Sequence, residues 1–217
     1  MPTKTRNYDL VIWDWNGTLL DDTEVCFAIA NEMRLSRGME PMANLESYRA
    51  MFRFPVIEYY RKMGYTFETE SFDEISREFV ATYAERFPCC SLQPCAIDTL
   101  SAVLDRGARQ VLLSATGQEK LDEQVRHFSL GRYFDRVIGG QNNLAQGKAD
   151  YARSFLLGSG VLPNRALFVG DTDHDFEIAQ SIGADCALLV PGHQTRGYLE
   201  TLGARLVDSL CEVPSLL

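Results

Sequence analysis

Apolar residues follow two rhythms along this chain. Between residues 21 and 87 they recur at helical spacing. Asp21, Asp22, Thr23 and Glu24 suit a helix start; Val25, Phe27, Ala28, Ile29, Met33 and Leu35 follow, and Gly38 suits the stop. Asn44 caps a second short helix over 44–52, and Pro55 opens a third that closes at Gly64. A fourth over 71–87 sets Phe72, Ile75, Phe79, Val80 and Tyr83 on one face. No strand pattern intrudes between 21 and 87.

On either side of that block the rhythm is different. Residues 8–13 form a short run rich in β-branched and aromatic residues, the pattern of a buried strand. From Pro94 onward, short apolar runs at 110–113, 135–138, 166–169 and 186–190 alternate with helical stretches at 97–106, 120–128, 148–157 and 175–182. Helices alternating with short apolar strands predict βαβ units and a parallel sheet. The expected fold is α/β: a Rossmann-like parallel sheet core formed by residues 1–20 and 91–217, with a helical cap over 21–90 inserted after the first strand.

Composition narrows the function classes. The chain has 217 residues, 46% hydrophobic and 24% charged, which is ordinary for a soluble globular protein. A net charge of -9 gives it no electrostatic reason to seek nucleic acid or an anionic membrane. Met1 to Asn7 is polar and basic without an apolar signal core, and no run is long enough to cross a bilayer. The six cysteines, at 26, 89, 90, 95, 186 and 211, show no C-x-x-C pair and no zinc spacing. A cytoplasmic setting with free thiols is the expectation.

Candidate chemistry sits at strand ends and helix starts. The first strand runs into Asp14-Trp15-Asn16-Gly17-Thr18, and ligands of open α/β sheets bind just outside strand carboxyl ends. Gly17 permits a turn other residues resist, and Thr18 can bond back to fix Asp14. Asx-type turns use the same residues. Ser114 follows a later strand but equally suits a helix cap. Lys148 opens a helix, where a solvated lysine is the ordinary case. Asp171 and Asp175 are one helical turn apart, at a helix start that favours acids anyway.

Taken together, D-x-x-G-T after the first strand, a later Ser, a downstream Lys and G-D-x-x-x-D after a fourth strand resemble the haloacid dehalogenase superfamily of hydrolases, in its phosphoglycolate-phosphatase-like branch with a helical cap. The resemblance spans about Tyr8 to Val190. It implies a Mg²⁺-dependent phosphohydrolase acting on a small phosphorylated metabolite. Asp14 would be the nucleophile that forms an aspartyl-phosphate. Asp14, Asp171 and the backbone carbonyl of Asn16 would hold Mg²⁺, with Asp175 orienting its waters or sharing in ligation. Ser114 and Lys148 would bind phosphoryl oxygens, and backbone N–H groups near Trp15, Asn16 and Ala115 would complete the cradle. Thr18 would support the substrate loop.

Asn16 departs from the pattern. The family's phosphatases usually carry a second Asp there, which protonates the leaving oxygen and then activates water; a carboxamide does neither. Cation-pumping ATPases carry Thr at that position, and phosphonatases carry Ala and rely on a cap lysine. Lys62 is the only lysine of the helical block here. Two alternatives therefore stay open: a weakly active or non-catalytic phospholigand-binding protein, and a phosphonatase-type C–P hydrolase. Of the cap residues, Arg53 is the best placed in sequence to reach substrate, since its fork matches phosphate or carboxylate. His127, His174 and His193 show no metal spacing and read as structural.

Overall fold

The structure, a computed structural model, describes residues 8–140 and 147–217, so the polar segment 1–7 lies outside the described residues. The elements in chain order are β1 (Leu10–Trp13), β2 (Leu20–Asp21), α1 (Thr23–Ser36), α2 (Leu45–Met51), α3 (Val56–Lys62), α4 (Phe72–Arg86), β3 (Ser91–Leu92), α5 (Ala96–Asp105) and β4 (Arg109–Gly117). They continue with α6 (Gln118–His127), β5 (Arg136–Gly140), α7 (Lys148–Ser159), β6 (Ala166–Gly170), α8 (Asp173–Ile182), β7 (Asp185–Leu189), α9 (Arg196–Thr201) and β8 (Arg205–Val207).

Six strands form one parallel sheet in the order β5-β4-β1-β6-β7-β8. β1 lies between β4 and β6, so the chain winds both ways from it, and the carboxyl end of β1 is the switch point of the sheet. All four residues of β1 are buried, with alternate residues feeding opposite faces. Val11 and Trp13 join a core with Leu100, Leu112 and Val169, while Leu10 and Ile12 join Val111, Phe168 and Ile178.

The helices of the insertion have a core of their own, built from Ile29, Met33, Tyr48, Tyr59, Tyr60, Met63 and Ile75. Their ends follow the sequence signals. Asn44 Oδ1 accepts from Ser47 N at 2.8 Å, and Ser71 with Glu74 forms a capping box on α4. At the base of the insertion β2 and β3 pair antiparallel, Leu20 opposite Leu92. That ribbon is two residues per strand, too short to leave a periodic pattern in the sequence. Past residue 190 the chain adds α9 and β8, also absent from the sequence reading.

Cys95 and Cys211 are joined in a disulfide that links α5 to the C-terminal segment, with Cα atoms 5.5 Å apart. This corrects the expectation of free thiols throughout; a separation of 116 residues hides the pair from any spacing rule. Among the described residues Cys26, Cys89, Cys90 and Cys186 are free. None of the described helices is long and apolar enough to cross a membrane.

Candidate active site

Asp14 directly follows β1 with its backbone N–H held by the Val169 carbonyl at 2.8 Å, so the strand itself aims the residue beyond the sheet edge. Ser114 lies in β4 where its register with β5 shifts between Leu113 and Gly117. Asp171 follows β6. Lys148 is the first residue of α7, yet it is only 5% exposed, far from a solvated lysine. These residues and Asp175 line one cavity between the sheet's carboxyl edge and the helical insertion.

Lys148 Nζ donates to Asp14 Oδ1 at 2.5 Å and to Asp175 Oδ1 at 2.7 Å. The other oxygen of Asp175 accepts from Thr172 N, Thr172 Oγ1 and Asp171 N at 3.1, 2.7 and 3.2 Å. Both oxygens of Asp175 are thereby committed, one to the lysine and one to the start of α8. Asp171 accepts from Thr18 Oγ1 at 3.0 Å and from His193 N at 2.7 Å. Two glycines make room for it. A Cβ on Gly17, whose φ is +72, would lie 2.4 Å from Asp171 Oδ2, and one on Gly192 would lie 2.3 Å from it.

The carboxylate cluster is short of positive charge. Asp14, Asp171 and Asp175 are all buried, their oxygens lie within 4.8 Å of one another, and among the described residues Lys148 is the one lysine or arginine paired with them, through Asp14 and Asp175. Burial pushes Asp14 up to about 8; Lys148 opposes this, and Asp175 and Asp171 reinforce it. Burial also pushes Asp171 up to about 6, although the His193 charge pulls the other way. Asp175 stays below its ordinary value because Lys148 and Thr172 outweigh its burial. Three buried acids thus share one lysine as their ion-pair partner among the described residues. The donor set is hard oxygen, which suits a divalent cation such as Mg²⁺.

Asn16 belongs to a second network. Its Nδ2 donates to Asp22 Oδ2 at 2.7 Å and to Tyr83 OH at 2.9 Å, and its Oδ1 accepts from Thr116 Oγ1 at 2.9 Å. Asp22 also accepts from Tyr83 OH at 2.7 Å and from Gly17 N at 2.9 Å, and it faces His193 Nε2 at 3.2 Å. Burial would raise Asp22, but the His193 charge and the bonds from His193, Tyr83 and Asn16 hold it below the ordinary carboxylate value.

His193 touches both networks, its backbone N–H on Asp171 and its ring on Asp22. It lies in the loop after β7, lines the cavity, and bonds Tyr48 OH at 2.8 Å and Asp22. Its loop also receives Arg49 of α2, which donates to the Gly192 and Pro191 carbonyls at 2.9 Å each. The position had one legible sign: the loop follows a sheet strand at the edge where Asp14 and Asp171 lie. His174 also lines the cavity, stacked on Phe54 with ring centroids 4.7 Å apart.

Arg53 does not reach the cavity. Its guanidinium lies 3.6 Å over the ring of Tyr198, where a cation–π contact holds it against the core. Lys62 is exposed on α3 and does not line the cavity. Ala115 lines the cavity. Trp15 is buried with its indole N–H on Gln124 Oε1 at 2.7 Å, so its side chain is core. Thr18, also fully buried, holds Asp171 at 3.0 Å and lies 3.5 Å from Asp14 Oδ2.

This site at the switch point of the sheet, under a helical insertion, is accompanied by a clear family match. The sequence profile of the haloacid dehalogenase-like hydrolases covers residues 11–189, and the chain belongs to that family. A Pseudomonas aeruginosa protein named phosphoglycolate phosphatase 1 is 29% identical over 215 residues, covering 95% of this chain and 78% of its own. A phosphoglycolate phosphatase of Pseudomonas fluorescens is 30% identical over 211 residues, covering 93% and 76%. CbbY from Rhodobacter sphaeroides, solved in complex with phosphate, shares the fold with a TM-score of 0.70 at 22% identity over 95% of this chain and 96% of its own. A haloacid dehalogenase-like family hydrolase from Streptococcus pneumoniae gives a TM-score of 0.68 at 19% identity, covering 96% and 97%.

Proposed function

We propose that this protein is a Mg²⁺-dependent phosphohydrolase that transfers the phosphoryl group of a small metabolite to Asp14 and then to water. The observation that carries the reading is the buried cluster around Asp14: three carboxylates, one lysine and a cavity open to ligand. A site built only to bind phosphate would gain by lacking the negative charge of Asp14. The phosphatase names of the Pseudomonas relatives support the same reading.

The roles follow from what each group has free. Asp14 Oδ2 has only Thr18 at 3.5 Å, so it is the oxygen available to attack phosphorus in line. Lys148 holds the other oxygen and fixes the rotamer. Ser114 Oγ, which accepts from Thr116 N at 3.1 Å, keeps its own proton to donate to a phosphoryl oxygen. Asp14 and Asp171, with the Asn16 carbonyl, would hold Mg²⁺, and Asp175 would support it from behind through its helix-capping and lysine bonds. When bound, the ion would neutralise the excess negative charge and polarise the phosphoryl group. The helices α1–α4 act as a cap that keeps bulk water from the cleft. Asn16 cannot protonate a leaving oxygen, so acyl, aryl and anhydride phosphates, whose leaving groups depart unprotonated, are the favoured substrates.

The test is turnover of phenyl and acetyl phosphate with and without chelator. Activity should vanish on chelation and return with Mg²⁺, and Asp171→Asn should raise the Mg²⁺ concentration needed. Full activity after complete chelation would overturn the reading.

A further inference from the structure

The cavity that begins at Asp14 does not stop at the phosphoryl end. It has a volume of about 290 Å³, near the lower end of the ~300–1,000 Å³ common for small-molecule sites. Beyond Asn16 it runs into the helical cap among the rings of Phe54, Tyr59, Phe72, Phe79, Tyr83 and Phe87. Among the described residues no arginine lines it. Each lysine that does is already paired: Lys148 with Asp14 and Asp175, and Lys120 with Glu123 at 2.8 Å. His193 is paired with Asp22. A leaving group that carried its own carboxylate would therefore enter an aromatic chamber whose lysines and His193 are already paired, with only the ring of His174, stacked on Phe54, left to meet it, and a poorly paired buried carboxylate is strongly disfavoured.

We infer that the group carried by the phosphate is aromatic: the substrate class is the phosphate monoester of a phenol, with its ring seated among the cap aromatics. The inference rests on the reading of Asp14 as phosphoryl acceptor and names the substrate class of that site. Two independent features agree on it. The rings offer edge and face contacts that favour an aromatic guest. Asn16, committed to Asp22 and Tyr83, supplies no proton, and a phenolate with a conjugate acid near 10 leaves without one far more readily than an alkoxide. Within the chamber Tyr59 OH is buried and has no hydrogen-bond partner, which suits a polar substituent on the ring.

The reaction balances simply. An Asp14 oxygen forms a bond to phosphorus as the bond from phosphorus to the phenolic oxygen breaks, and the electron pair leaves on the phenolate. Water then attacks phosphorus, the Asp14 carboxylate is released, one proton of the water stays on the hydrogenphosphate, and the other reaches the phenolate through solvent.

The experiment compares kcat/KM for phenyl phosphate, 4-hydroxyphenyl phosphate, acetyl phosphate and phosphoglycolate with the full chain and Mg²⁺. It is accompanied by calorimetric binding of the same ligands, apart from labile acetyl phosphate, to the Asp14→Asn variant. The aryl esters should exceed phosphoglycolate by about 10²-fold or more in kcat/KM and bind more tightly to the variant. Tyr59→Phe should lower the ratio of kcat/KM for 4-hydroxyphenyl phosphate to that for phenyl phosphate about three- to tenfold. Phe79→Leu should lower the ratio of aryl-ester to acetyl phosphate kcat/KM, with thermal melting reporting that the variant is folded. Phosphoglycolate at or above the aryl esters, in turnover or in binding, overturns the inference. Fast acetyl phosphate with slow aryl esters overturns it too but leaves Asp14 as phosphoryl acceptor. If no substrate turns over, that acceptor reading fails, while ligand preference in the binding arm still decides what the chamber fits.

Discussion

Asp14 and Asp22 are eight residues apart, both buried, and opposite in character. Asp22 is surrounded by donors: Asn16 Nδ2, Gly17 N, Tyr83 OH and His193. It is held below the ordinary carboxylate value. Asp14 has Lys148 and a long contact to Thr18, and faces two further acids. Burial and those neighbours push it up to about 8. A buried carboxylate with its acceptor sites filled organises structure; one left with an open oxygen beside like charges is set up for chemistry. The difference also explains Asn16. A carboxylate there would place two acids where the amide now bonds Asp22 at 2.7 Å.

The largest effect should come from Asp14→Asn, which removes the attacking oxygen. Turnover should fall by about 10⁴–10⁶-fold, whereas the metal-free protein should melt at a higher temperature than the parent above about pH 8, where Asp14 is ionised beside the other acids. A lower melting temperature would mean that Asp14 is a structural ion-pair partner. Asp22→Ala should do the reverse in stability, since it strands His193, Tyr83 and Asn16; denaturant titration should show a loss of about 3–5 kcal/mol. A loss within experimental error would refute the contrast between the two acids.

Asn16→Asp sharpens the comparison at its contact point. Two carboxylates in that geometry can coexist only by sharing a proton. The folded state would then bind a proton more tightly than the unfolded chain, so the variant's stability should fall as pH rises. Turnover should rise most for alkyl phosphates, which need the acid. Equal turnover of alkyl phosphates by both forms would make position 16 catalytically indifferent. Peptide mapping must accompany the kinetics, because Asn16-Gly17 is prone to deamidation and aged protein can acquire the variant's carboxylate.

A smaller effect concerns pH. Asp14 and Asp171 have folded values raised to about 8 and about 6 from an ordinary 3.8, and His193 is raised to about 8 from 6.5 against the pull of its burial. In each case the folded state binds the proton more tightly. The metal-free melting temperature should therefore decline between about pH 5 and 8, and Mg²⁺ should flatten that decline by compensating the acids. Parallel profiles with and without Mg²⁺ would show that the ion does not bind at these carboxylates.

Much of this was legible in the sequence, for identifiable reasons. The sheet strands that lie inside the core read as short apolar runs, α2 announced itself through Asn44, and α4 through the apolar face of Phe72, Ile75, Phe79, Val80 and Tyr83. The family resemblance rested on Asp14, Ser114, Lys148, Asp171 and Asp175, which line one cavity. What escaped lacks a local signal. The β2–β3 ribbon has two residues per strand. Arg53 had the right chemistry, but Tyr198, 145 residues away, holds it over its ring. Neither the partners of His193, Asp22 and Tyr48, nor the Cys95–Cys211 bond is foretold by spacing. Asn16 read as a loss of acid/base capacity; only the fold shows that its amide is what Asp22 and Tyr83 require.

The central claim is that Asp14 carries the phosphoryl group during turnover. Rapid mixing of the Mg²⁺-loaded protein with phenyl or acetyl phosphate, acid quenching and peptide mapping by mass spectrometry test it most directly. The account predicts a burst of product followed by a slower steady state, because no carboxylate at position 16 activates the hydrolytic water, with the phosphoryl group found on Asp14 at the end of the burst. Product formed with Asp14 unmodified throughout, or a phosphoryl group located on another residue, would contradict it.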